Sequence, residues 1–60
     1  MNPTFTNILR LRWLERRLEL IPGARARFLC EDVRRCLRLA EQGKRFRAET
    51  VDQAESAVAE

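Results

Sequence analysis

The stretch Leu20-Ile21-Pro22-Gly23-Ala24 decides how this chain folds. Proline fixes φ and pushes the residue before it out of the α region. The glycine that follows supplies the backbone freedom of a tight reversal. On either side lies a run with helical periodicity, and the two runs are nearly equal in length. The chain therefore reads as all-α: a helical hairpin reversing at Pro22-Gly23. Its first helix covers about residues 3–21 and its second about 24–43.

Upstream of the turn, Leu11, Leu14, Leu18 and Ile21 recur at a 3-4-3 spacing and form one apolar stripe of an amphipathic helix. Phe5, Leu9, Trp13 and Leu20, with Arg16 among them, make a second stripe on a different face. One partner helix cannot cover both. Asn2 can cap this helix with Pro3 at its first position, or Thr4 can cap a slightly later start.

Downstream, Ala26, Leu29, Val33, Cys36 and Ala40 repeat as a coiled-coil-like seam, widened by Cys30 and Leu37. Its alanines leave room for the leucines of the first helix. Phe28 and Leu39 lie outside it. Glu31 and Arg35 form an i,i+4 pair, worth about 0.2–0.5 kcal/mol on a helix. Gly43 marks a C-terminal stop. Residues 43–49 form a basic connector around Phe46. Thr50-Val51-Asp52-Gln53 then reads as a capping box opening a short acidic helix, with Val51, Ala54 and Val58 on one face. That segment is too short to stand alone and either docks or frays. The chain thus divides into a hairpin with basic connector, 1–47, and a short acidic helix or tail, 48–60.

A 60-residue chain makes one small domain. It buries only about 60% of its unfolded surface, and such a core rarely supplies more than ~3–5 kcal/mol. Disulfides, metals or partner chains usually add the rest. Cys30 and Cys36 are separated by about 600° of helical rotation, so one helix cannot bridge them. There is no histidine, and two cysteines do not complete a zinc site. The expectation is therefore self-association, as a homodimer pairing into a helical bundle, or another partner. Free thiols on a buried face suit a reducing cytoplasm. No apolar run reaches a membrane span or a signal-peptide core, so neither membrane insertion nor export is expected.

The net charge of +3 is unevenly placed. Residues 1–47 hold all twelve cations against five acids, +7, and residues 48–60 hold four acids and no cation, −4. Eleven of the cations are arginine, which forks onto carboxylates and phosphates and stacks on aromatics. The plainer reading of that preference is a compositional bias toward arginine.

Catalytic readings find little. The chain has no histidine, no tyrosine, no serine before residue 56 and no glycine-rich phosphate loop. Glu15 and Glu19 are spaced to share a metal but fit a solvated face better. Cys30 and Cys36 fit core packing better than nucleophilic roles. The expectation is no enzyme, no cofactor, no metal and no small-molecule substrate. Two surfaces stand out instead. Arg27, Arg34 and Arg38, with Arg45 if the second helix runs on, form a basic ridge of the kind that binds nucleic acid. The aromatic Phe46 lies among cations as a base-stacking residue would. Arg25 and Arg27 sit in a first turn whose dipole disfavours them, unless Glu19 reaches across the turn. Trp13, with Arg10 and Arg17 one turn to either side, has the composition of an interface hot spot.

A hairpin of roughly 60 residues pairing into a four-helix bundle resembles, in architecture and in no sequence motif, the small plasmid RNA-binding proteins of the Rop type. That likeness supports the nucleic-acid alternative and transfers no residues. The expected function is a non-enzymatic protein–protein interaction module: a regulator, adaptor or inhibitor. Its expected contacts are Phe5, Leu9, Trp13, Arg16, Leu20, Arg27, Arg34 and Arg38. The alternative is an arginine-rich helical dimer that binds RNA or DNA.

Overall fold

The computed structural model describes residues 3–60. Three helices follow in order: α1 (Pro3–Glu19), α2 (Ala24–Glu41) and α3 (Ala48–Ala59). Among the described residues there are no strands. α1 and α2 form the hairpin, and α3 packs against both. Pro3 opens α1, and Thr4 lies within it. Asn2, the other expected cap, lies outside the described residues.

α1 ends two residues short of the expected boundary. The amides of Leu20 and Ile21 bond back three residues, to Arg17 O and Leu18 O at 3.2 and 3.1 Å. The last turn tightens because Ile21, preceding proline, cannot stay helical. Gly23 then takes φ 109° and ψ 161°, a region essentially reserved for glycine. A Cβ added there would meet nothing within 4 Å, so the constraint is the backbone itself. α2 stops at Glu41, also two residues early, in a Schellman motif. Gly43 has φ 72°. Its amide reaches Ala40 O at 3.0 Å, and Lys44 N reaches Leu39 O at 2.8 Å. The stop expected at Gly43 is therefore a C′ glycine beyond the helix.

The core joins all three helices. Leu11, Leu14, Leu18, Leu29, Cys30, Val33, Cys36, Ala40, Ala54 and Ala57 form one buried cluster, and Ala26 is buried as well. Ile21, expected in the shared core as the end of the stripe, packs on the cluster only partly buried. The same turn that ends α1 lifts it off the helical face. The short acidic helix docks rather than frays, burying Ala54 and Ala57 with Val51 and Val58 beside them. It starts two residues before the expected capping box. Arg47 is the N-cap and supplies no side-chain bond. Thr50, inside the helix, faces the Cys36 thiol instead.

Candidate interaction surface on the outer face of α1

At about 100° per residue, Leu11, Leu14 and Leu18 point one way from α1, and Phe5, Leu9, Trp13 and Arg16 point nearly opposite. Leu20, just past the helix end, continues that line. The first set is fully buried, whereas Phe5, Leu9 and Trp13 are 55, 52 and 53% exposed and Leu20 is 76% exposed. α3 does not cover them, because it enters the groove on the core side of the hairpin.

Ion pairs show how α1 is oriented. On the flank toward α3, Arg10 Nε donates to Glu55 Oε1 at 2.6 Å. On the flank toward α2, Arg12 lies 3.7 Å from Glu41. On that flank too, Arg34 of α2 donates to Glu15 at 2.8 Å and to Glu19 at 3.2 Å. Every carboxylate of α1 is thus turned sideways onto an arginine. The outward cations are Arg16 and Arg17, and the Arg17 guanidinium sits 5.9 Å from the Trp13 ring centroid. That is cation–π range. Neither Arg16 nor Arg17 has a carboxylate partner among the described residues.

The ridge on α2 is less uniform than the sequence suggests. Arg27, Arg34 and Arg38 are all exposed, but Arg34 is held by two internal carboxylates. Its hydrogen bonds to Glu15 and then Glu19 raise its already high pKa. Arg45 leaves the arc because α2 has ended, and Phe46 is partly buried against the core, so its ring is not free to stack on a base. Glu19 does not reach Arg25 or Arg27, being committed to Arg34, and Arg25 pairs with Glu60 at 3.1 Å. The Glu31–Arg35 pair is absent among the described residues. The ridge and the α1 stripe are separate surfaces, divided by the paired side chains of Arg12, Glu15 and Glu19.

Both cysteines are free and buried. Burial raises the Cys30 thiol, against the pull of Arg34, and its Sγ lies 3.8 Å from Glu15 O. Burial likewise raises Cys36, against a hydrogen bond with Thr50. Raised pKa values leave both thiols protonated, the opposite of an activated nucleophile. A groove of about 660 Å³ runs between α1, the connector and α3. Arg10, Lys44 and Arg45 line it together with Asp52 and Glu55, so its charges oppose one another. Among the described residues no group of three or more metal-ligating side chains converges, and no helix is long and apolar enough to cross a membrane.

Among the contacts that sequence reasoning missed are the two clasps on α3, Arg10–Glu55 and Arg25–Glu60. They join residues 45 and 35 positions apart, and only the opposite charges of hairpin and tail hinted at them. Among the described residues the fold and surface define three packed helices with an exposed apolar stripe on α1 and an exposed Phe28 on α2. The chain's sequence and structure match no protein-family model, no curated protein and no solved structure.

Proposed function

We propose that this chain is a non-enzymatic helical interaction module that binds a partner protein through the outer face of α1. The observation that carries this reading is the Phe5–Leu9–Trp13 stripe, more than half exposed and directly opposite the core. Covering such side chains is worth roughly 1.5–3 kcal/mol each. Small proteins seldom leave a contiguous apolar patch uncovered unless it binds something. Tryptophan flanked by arginine is also the composition of binding hot spots. A module of this kind acts as a regulator, adaptor or inhibitor, and two buried free thiols fit a reducing compartment such as the cytoplasm.

The alternative occupant of the stripe is a second copy of the chain, pairing hairpins into a dimeric bundle. The nucleic-acid reading draws on Arg27, Arg38 and the connector cations. Against it stand the internal pairing of Arg34 and the partial burial of Phe46. The test is capture from a cell extract by the tagged chain, followed by mass spectrometry and an absorbance ratio at 260 nm. The expected result is a defined protein and no nucleic acid, with capture lost in Leu9→Ala/Trp13→Ala. Capture that survives this double substitution removes the α1 face from the function. Sedimentation near twice 7.1 kDa, reverting to monomer in the same variant, identifies the second copy.

A further inference from the structure

We infer that the occupant of the α1 outer face is an acidic amphipathic helix of a different protein, its carboxylates meeting Arg16 and Arg17. This rests on the outer-face reading above and adds the chemistry of the partner.

Shape argues for a helix. From Phe5 to Leu20 the stripe runs about 22 Å along the axis at 1.5 Å per residue. At 100° per residue its four apolar side chains fall within an arc of about 80°. A second helix covers such a ridge by laying its own side chains alongside, whereas a compact pocket would cover only one end.

Charge argues for an acidic partner of different sequence. The intramolecular ion pairs take every carboxylate of α1 to its flanks, onto Arg34, and take Arg10 and Arg12 with them to Glu55 and Glu41. Among the described residues, Arg16 and Arg17 are the α1 cations without a carboxylate partner. The α1 dipole favours cations in the last turn wherever they point, but it does not explain a face without one carboxylate. A second copy paired through its own α1 does not supply the missing charge. Packed parallel, it sets Arg16 and Arg17 against their own equivalents. Packed antiparallel, it sets them against the first turn of α1, which holds no acidic residue and carries the positive end of the dipole. A carboxylate partner instead bonds the Arg17 fork beyond the Trp13 ring and meets Arg16 one residue back.

The test titrates the full chain with two synthetic peptides that lack tryptophan. Both carry the same leucine seam, one flanked by glutamates and the other by lysines, and Trp13 emission is the readout. The glutamate peptide is expected to shift Trp13 to the blue and to bind at least about tenfold tighter than the lysine peptide, as opposite and like charges across an interface do. That gap should close near about 1 M salt, where the Debye length is about 3 Å. Arg16→Glu with Arg17→Glu should reverse the preference, and Arg16→Gln with Arg17→Gln should level it. Equal affinity for both peptides in the unaltered chain overturns the acidic partner but leaves the outer-face reading standing. Failure of both peptides, while Leu9→Ala/Trp13→Ala still abolishes partner capture, does the same. A blue-shifted dimer before any peptide is added makes the second copy the occupant. A shift on phosphatidylglycerol vesicles without one on the glutamate peptide overturns both readings in favour of a lipid surface.

Discussion

Between α1 and α2 the largest buried side chains are leucines and a valine: Leu11, Leu14 and Leu18 on one side, Leu29 and Val33 on the other, with Ala26, Cys30, Cys36 and Ala40 buried on α2 beside them. Between α3 and the hairpin they are two alanines, Ala54 and Ala57. A buried leucine contributes roughly 1.5–3 kcal/mol, an alanine methyl far less. Beside that smaller apolar contact α3 carries charge. Glu55 is clasped by Arg10 and Glu60 by Arg25, and a −4 segment lies on a +7 hairpin. The two contacts should therefore answer to different perturbations. The seam should respond to cavities and ignore salt. The α3 contact should open first, as a local unit, and respond to ionic strength and pH.

The largest effect expected is at the seam. Leu14→Ala or Leu18→Ala removes a fully buried side chain and should cost roughly 2–5 kcal/mol, much of the stability of so small a domain. Thermal unfolding of each variant measures it, and an unmoved midpoint would show that the seam is not what holds the fold. Next is the turn that makes the seam possible. Gly23→Ala forces a side chain into a backbone region that costs on the order of 1–3 kcal/mol, although nothing crowds the added methyl. If Gly23→Ala is as stable as the parent, the reversal does not require that conformation.

The cysteines separate the two contacts without any substitution. Cys36 faces Thr50 of α3, while Cys30 lies against Glu15 O of α1. Raising the salt should speed thiol labelling at Cys36 several-fold while Cys30 stays protected, because exposed ion pairs weaken once screened. Labelling that rises equally at both sites would mean that α3 does not open by itself.

The smallest effect is acid-dependent. The Arg10 hydrogen bond, aided by its charge, holds the Glu55 carboxyl below its ordinary 4.5. A depressed folded value means the clasp contributes fully above that ordinary value. Its contribution fades as pH falls through the lower one. Cys36 labelling with dithiodipyridine, which reacts in acid, should therefore accelerate below about pH 4.5. In Arg10→Ala much of that acid dependence should be gone, with Cys30 unaffected. An identical pH profile in Arg10→Ala would remove Glu55 from the clasp.

Much of this architecture is legible in local pattern. Leu11, Leu14 and Leu18 repeat at helical spacing, as do Ala26, Leu29, Val33, Cys36 and Ala40, and all of them are buried. Periodicity works here because a two-helix seam samples each helix at its own repeat. The helix ends were harder to read. Ile21 continues the repeat yet sits half-buried, because the constraint from Pro22 outranks the spacing. Thr50 and Gln53 have the residue types of a capping box, yet α3 begins at Ala48. Its N-cap is Arg47, with no side-chain cap bond, so a cap worth about 1 kcal/mol did not set that start.

The chain's own pattern determined the all-α class, the reversal at Pro22-Gly23, the membership of the seam and the presence of a second apolar stripe on α1. These follow from residues within a few turns of one another, where 3.6-residue geometry and backbone sterics suffice. Only the tertiary structure decided which charges are spent internally. Arg34, on the ridge by spacing, is bound to Glu15 and Glu19 across the hairpin, and Arg10, beside Trp13 by spacing, is turned away to Glu55. Only packing, too, decided that α3 fills the core side and leaves Phe5, Leu9 and Trp13 uncovered. Ion pairs and helix docking join side chains far apart in the chain, and their distances depend on all three helices at once.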